Sequence, residues 1–397
     1  MIQIDSLDKA IYLDGSATTP PRVEVINRIK DVDSNYWANP SSIHSLGIKA
    51  AEVVERSRKS ISLALGASPN ELIFTSGSTE SIHLALLGSV RKQSPGRIVI
   101  SNVEHPSVIS AAEELVYKGW ELAYWPVDKY GQVDLSKSEQ LLSYPTKLVS
   151  IIWGQSEVGT IQPIKYIGEI CKSRGIIFHT DATQILSQAF FNWSSLPVDL
   201  LSASAHKFQG PKGVGFLLCD KNIKDSFSAL SGGGGQEGSL RSGTEPVSLI
   251  AGMALAIELL NSTIYSNNQA LTEYQKVSTL TSELRGRLGC IKSVKFTGHP
   301  TKRLSNHISM LIGNHFGDPL PGRAIVRELS KRGIYASSGT ACRAGRKTDS
   351  AILGAMNIPL QWRQSGLRFT LGSWINQEDI ANITDNLHLC IESLSSG

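Results

Sequence analysis

Gly175-Ile-Ile-Phe-His-Thr-Asp181-Ala-Thr-Gln184 opens on a glycine, runs through a short apolar stretch and ends it on an acidic residue. The preceding segment, Ile164 to Arg174, has helical periodicity and stops at Gly175, a helix C-terminal signal. A helix followed by a nearly continuous apolar run is the unit of a parallel sheet buried on both faces. The unit recurs outward in both directions. Ile73-Phe74, Ile98-Val99-Ile100, Leu148 to Trp153, Leu200-Leu201 and Val214 to Leu218 read as further strands, and Ser107 to Gly119 as a further helix. Such alternation over roughly 250 residues predicts an α/β domain with a mostly parallel sheet.

A helix-like run from Pro246 to Leu260 is followed by the polar stretch Asn261 to Asn268, which marks a domain boundary. The segments Leu271 to Leu288, Ile308-Leu311, Arg323 to Arg332, Leu367-Phe369 and Gln377 to Leu394 make a smaller α+β domain. The expected division is a large domain of residues 15–261 and a small domain of 262–397 joined by 1–14.

Composition narrows the function classes. The chain has 397 residues, 41% hydrophobic and 19% charged, as an ordinary globular protein does. Lys+Arg 39 against Asp+Glu 35 leaves +4, too small an excess for a strongly basic nucleic-acid binder, so no direct nucleic-acid binding is expected. The five cysteines, 171, 219, 290, 342 and 390, form no C-x-x-C pair, which argues against a zinc ribbon, another metal centre or a disulfide framework. No apolar run is long enough for a membrane helix and the N-terminus is no signal peptide, so a reducing cytoplasm is expected.

Four motifs carry chemistry, each at the end of a predicted strand. Lys207, in Ser204-Ala-His-Lys207-Phe-Gln-Gly-Pro, is either a surface charge or a Schiff-base amine. Asp181 is either a helix cap or a carboxylate for a pyridinium nitrogen. The two lie 26 positions apart (207−181), room for one helix and one strand, so adjacent parallel strands would bring them to one edge. Phe74-Thr-Ser-Gly77-Ser-Thr79-Glu80 opens a helix with small hydroxyl residues, which suits either capping or a phosphate cradle. His105, in Val103-Glu-His105-Pro, is either a structural histidine or a group that stacks on a cofactor ring and moves protons. One common cofactor, pyridoxal 5'-phosphate (PLP), asks for all four together.

Together with Tyr12-Leu-Asp-Gly-Ser-Ala-Thr-Thr-Pro20, Arg241-Ser-Gly-Thr244 and Arg368-Phe-Thr-Leu-Gly372, these motifs resemble the cysteine desulfurases, PLP enzymes of the aspartate aminotransferase fold within the class V aminotransferases. The resemblance covers nearly the whole chain, with seven motifs in order. It implies Lys207 as the Schiff-base lysine, Asp181 on the pyridine nitrogen, Gln184 on the phenolic oxygen and His105 stacked on the ring. It implies Ser78, Thr79, Ser204 and His206 on the phosphate, and Arg368 on the substrate carboxylate, where a planar guanidinium suits a bidentate pair. Thr244 would reach the phosphate of a partner subunit, which implies a homodimer.

The implied nucleophile is Cys342, in Ser337-Ser-Gly-Thr-Ala-Cys342-Arg-Ala-Gly-Arg-Lys347. Small residues around it predict a loop. The other four cysteines are expected as buried filler. The spacing from Cys342 to Arg368, 26 positions (368−342), resembles the branch with the long active-site loop, which feeds iron–sulfur and thiolation pathways. The implied activity converts L-cysteine to L-alanine and passes the sulfur, as a persulfide on Cys342, to an acceptor protein of iron–sulfur assembly, tRNA thiolation or DNA phosphorothioation.

Two departures stand out. Ser156 occupies a position near cofactor and substrate where the family usually has asparagine, and a water could replace the lost amide. Arg343, Arg346 and Lys347 follow the cysteine where small polar residues are usual; they read as a solvated basic loop, as a means of lowering the thiol pKa, or as a dock for an acidic partner. An aminotransferase would not need Cys342, a non-catalytic scaffold would not need Lys207, Asp181 and His105, and selenocysteine lyase stays open.

Overall fold

A computed structural model describes residues 10–188, 191–224, 226–264, 272–339 and 349–395. In chain order these form β1 (Ile11–Tyr12), α1 (Val23–Asn35), α2 (Ser45–Leu65), β2 (Leu72–Thr75), α3 (Ser78–Val90), β3 (Arg97–Ser101), α4 (Pro106–Tyr117), β4 (Glu121–Trp125), α5 (Ser138–Leu141), β5 (Thr146–Ile152), α6 (Ile164–Ser173) and β6 (Ile177–Asp181). They continue with β7 (Leu200–Ser204), β8 (Gly215–Cys219), α7 (Lys221–Lys224), α8 (Val247–Ile264), α9 (Glu273–Gly289), β9 (Val294–Phe296), β10 (His307–Ile312), α10 (Gly322–Lys331), β11 (Ile334–Tyr335), α11 (Ala351–Ala355), β12 (Gly366–Thr370) and α12 (Gln377–Ser395).

The central sheet has seven strands in the order β2-β8-β7-β6-β5-β3-β4. Only β8 runs antiparallel to its neighbours, β2 and β7. The continuous apolar runs are explained by burial on both faces. Alternate residues of one strand point to opposite sides. Val99, Phe178, Leu201 and Leu218 fall into one core, Ile98, Ile100, Leu148, Leu200 and Leu217 into another. Truncating a side chain such as Phe178 to alanine would cost about 3–5 kcal/mol.

The strand β4, Glu-Leu-Ala-Tyr-Trp, is absent from the strands read off the sequence. It lies at the sheet edge with only Trp125 buried, so it lacks the continuous apolar signature.

A second, antiparallel sheet, β12-β10-β9, packs with α9, α10 and α12 around its own core, which includes Phe369, Met310 and Leu387. Ile11 and Leu13 belong to that core, and β1 pairs in parallel with β11. Among the described residues, no helix is long and apolar enough to cross a membrane.

Candidate active site

The turn from β2 into α3 makes an anion cradle. Gly77 sits at φ +150°, which only glycine adopts readily, and delivers the chain directly into the first turn of α3. The first N–H groups of that helix have no partner within it and carry the positive end of its dipole. Thr18, Ser78, Thr79, Ser204, His206 and Lys212 line a cleft of about 490 Å³ there. Glu80, also in the wall, is tied to Arg241 at 2.8 Å and accepts the Ser76 N–H at 2.7 Å. Burial would raise its carboxyl, but those hydrogen bonds hold it below the usual range. Burial, then Lys207 and Lys212, push His206 down to about 4, so it offers a neutral imidazole.

Asp181 and Lys207 arrive on neighbouring strands. Asp181 ends β6, opposite Ser202 of β7, and β7 passes through Ser204 into the single turn Ala205–Lys207. Asp181 is buried, and its Oδ1 accepts the Thr183 N–H at 2.9 Å. Lys207 Nζ donates to the carbonyls of Ser16 (2.5 Å) and Ala17 (2.9 Å). Gln184 Nε2 donates to the same Ser16 carbonyl at 2.9 Å. Burial, then the Arg368 charge, bring the Lys207 amine down to about 8, against the pull of Asp181 and Asp14. A lysine near neutrality at that pH is a competent nucleophile.

His105 caps the N-terminus of α4. Its Nδ1 accepts the Ser107 N–H at 3.2 Å and lies 2.6 Å from Ser107 Oγ. The proton of the neutral ring is therefore on Nε2. Burial lowers its pKa, Asp181 opposes that, and Lys207 lowers it further.

Arg368, on β12, is 8% exposed. Its Nη1 donates to the Ser156 carbonyl at 2.9 Å and its Nη2 to Asp14 Oδ1 at 2.6 Å. Among the described residues, Nε is buried without a partner. Each Nη keeps one further N–H, the pair a carboxylate accepts in bidentate fashion. Ser156 thus meets Arg368 through its backbone, so the exchange of side chain at this position leaves that contact intact. The buried His307 also reaches the Ser156 carbonyl, through Nε2 at 3.1 Å.

The fold therefore gathers Lys207, Asp181, Gln184, His105 and Arg368, with Ser78, Thr79, Ser204 and His206 around the adjoining cradle. Thr244 is exposed and is not among the residues lining that cleft. Cys342, Arg343, Arg346 and Lys347 lie outside the described residues. Of the other cysteines, Cys171, Cys219 and Cys390 are buried, and burial pushes the first two thiols up to about 12. Cys290 departs from the expectation of buried filler. It is exposed just past the end of α9, with Sγ 3.6 Å from the Gly286 carbonyl.

Sequence reasoning gave no role to Asp14, Glu104 or Gln155. Asp14 lay inside a quoted motif. The other two combine nearby partners, Ser101 for Glu104 and Glu157 and Val158 for Gln155, with distant backbone groups, Ile152 and Val103, that no local pattern announces.

The donors suit PLP. A cradle of hydroxyl, imidazole and lysine donors at a helix N-terminus fits a phosphate ester, a lysine of lowered pKa fits an aldehyde, and a buried aspartate at the next strand end fits a pyridinium.

Residues 11–383 match the aminotransferase class-V family. The chain is 36% identical to a cysteine desulfurase IscS of Methanosarcina thermophila, over 98% of this chain and 94% of that one. A solved NifS-like protein superposes with a TM-score of 0.87 at 31% identity, over 98% of this chain and 100% of the other. The solved structure of SspA in complex with cysteine gives a TM-score of 0.79 at 29% identity, over 92% and 100%. The chain belongs to the class-V aminotransferases, a PLP-dependent family. Within that family it falls among the cysteine desulfurases.

Proposed function

We propose that this chain removes sulfur from L-cysteine, leaving L-alanine, and hands it as a persulfide on Cys342 to an acceptor protein in the cytoplasm. The observation that carries the proposal is the meeting of Lys207, Asp181 and His105 at one sheet edge with Arg368 beside them. The approach to Cys342 supports it. Ser337, five positions before the cysteine (342−337), exchanges backbone hydrogen bonds with Arg368 at 2.7 and 3.3 Å. Ser350, beyond the cysteine, donates to Glu157 Oε1 at 2.5 Å, and Glu157 is next to Ser156.

PLP, when bound, supplies an electron sink for the substrate's α-carbon. Ser78, Thr79, Ser204 and His206 would hold its phosphate, Asp181 and Gln184 its ring, and Lys207 its aldehyde carbon. Arg368 orients the substrate through its carboxylate. Lys207, with its lowered pKa, takes the α-proton as a free amine. His105, protonated on Nε2, faces the reaction as a donor. The Cys342 thiolate forms an S–S bond to the substrate sulfur while the C–S bond breaks. The electron pair of that bond stays with carbon, which takes up a proton and ends as the methyl group of alanine.

The chain works as a homodimer in which Thr244 serves the partner's cradle. Trp37 and Ile43, 72% and 95% exposed, and the partly exposed Leu46 and Ile48 offer an apolar surface for that contact. The large domain spans 15–261, and 1–14 join 262–397 in the small domain, a division supported by Ile11 and Leu13 packing in the second core.

The test is Cys342→Ser. The cysteine-induced absorbance change of the cofactor should survive while sulfide release in dithiothreitol falls to background. Undiminished sulfide release would remove Cys342 from the reaction.

A further inference from the structure

We propose that Gln155 is a positioning residue for substrate binding: its side-chain amide fixes the turn that presents the Ser156 carbonyl to Arg368. The proposal rests on the reading of Arg368 as the clamp for the substrate carboxylate. Gln155 is 2% exposed. Its Oε1 accepts two backbone N–H groups, from Glu157 at 2.5 Å and Val158 at 2.9 Å. Its own carbonyl accepts the Gly159 N–H, and its N–H donates to the Thr160 carbonyl, both at 2.9 Å. The five residues from Gln155 to Gly159 are thereby bent into one closed turn with Ser156 at its corner.

The far side of the turn is also fixed. Gly159 has φ +81°, and a Cβ there would stand 2.6 Å from Nδ1 of His307. His307 in turn holds the Ser156 carbonyl through Nε2. That carbonyl therefore cannot swing without disturbing the Gln155 amide on one side or His307 on the other.

The remaining polar group of Gln155 points elsewhere. Nε2 donates to the Val103 carbonyl at 3.2 Å, two residues before His105. One buried amide thus ties the turn under Arg368 to the loop that carries His105. Among the described residues, the guanidinium has one carbonyl, Ser156, and one carboxylate, Asp14, to set its plane. Losing the orientation of the carbonyl would misalign the two N–H groups left for a ligand.

Replacing Gln155 with alanine should weaken ligands that carry a carboxylate and spare those that lack one. L-alanine and L-alaninamide make that comparison, since they differ only at the carboxyl. Equilibrium titration of the holoenzyme, followed by cofactor absorbance, should show L-alanine binding weakened about tenfold in Gln155→Ala, the size expected for one hydrogen bond to a charged group. L-alaninamide should change by less than about twofold, and KM for L-cysteine should rise with little change in kcat. Gln155→Asn should retain most of the affinity, because an asparagine oxygen accepts the N–H two residues on in the same kind of turn. The double variant Gln155→Ala/Arg368→Ala should bind L-alanine no more weakly than Arg368→Ala alone, as coupled residues do.

Equal weakening of both ligands, full additivity in the double variant, or unchanged L-alanine binding in Gln155→Ala would overturn the proposal. If Gln155→Ala does not fold, Gln155→Met keeps the volume, loses both polar groups and takes its place. Arg368→Ala by itself tests the underlying reading: unchanged L-alanine binding in that variant refutes the clamp, and this proposal with it. Normal weakening there with none in the Gln155 variants refutes this proposal alone.

Discussion

Asp14 and Arg368 stand 354 positions apart in the chain, and their side chains meet at 2.6 Å. The ion pair is only partly exposed, with 9% of the arginine side chain and 25% of the aspartate accessible. Asp14 follows β1, which pairs with β11, and it bridges the backbone at Thr370 of β12. The N-terminal segment thereby places a fixed anion against one Nη while Ser156 takes the other. A guanidinium held at both nitrogens presents one defined edge.

Arg368→Lys should test the need for that edge. An ammonium can keep the charge but not two parallel N–H groups. Hydrogen bonds to charged groups are worth about 1.5–3 kcal/mol, so kcat/KM for L-cysteine should fall tenfold or more, mostly through KM, with the cofactor spectrum retained. An unaltered KM would move the carboxylate anchor to another residue.

Lys207 provides a pH test on the apoprotein. Its amine is lowered from 10.5 to about 8, burial first and Arg368 second. Acetylation of Lys207, followed by peptide mapping, should have its midpoint near the lower value, and Arg368→Ala should shift that midpoint upward. In the holoenzyme, borohydride should fix the cofactor to Lys207, and Lys207→Ala should lose the bound chromophore. Labelling of a different lysine would sink the assignment.

The parts of this molecule legible in its sequence share one property: their physics is local or periodic. Ile98 to Ile100 and Leu200-Leu201 could be read as strands because a doubly covered sheet demands unbroken apolar runs. Asp181 and Lys207 could be read as a pair because each ends such a run. Edge strand β4 buries only Trp125 and gave no such run. Gln155 and Glu104 were silent for a different reason. A buried polar side chain is explained by its partners, and each of these has one that is distant in sequence, Val103 for Gln155 and Ile152 for Glu104. The backbone contact of Ser156 with Arg368 has no side-chain signature in sequence.

The dimer can be tested through its apolar surface. Ile43→Asp should shift the protein toward monomer in size-exclusion chromatography, since charge at a buried contact is costly. Thr244→Ala should keep the dimer and release the cofactor more readily, read as the apparent Kd for PLP. A dimer unaffected by Ile43→Asp would place the contact elsewhere.

Glu104 gives a stability prediction whose sign follows from burial. Its Oε1 accepts the Ser101 hydroxyl at 2.5 Å and the Ile152 N–H at 2.8 Å, while Oε2 is buried with no partner among the described residues. Burial raises the carboxyl from 4.5 to about 8; the two hydrogen bonds oppose the rise and Asp181 adds to it. Near neutral pH the folded protein therefore keeps a proton that the unfolded chain has already lost. With more protons bound in the folded state, stability falls as pH rises between those two values. A neutral amide in place of this carboxyl would have no proton to lose. The Glu104→Gln variant should melt close to the wild type below pH 4.5, gain on it steadily through the window, and hold a constant lead above about 8. Thermal melts of both proteins across that range decide the matter. A difference in Tm that does not vary with pH would mean that Glu104 is already ionised in the fold.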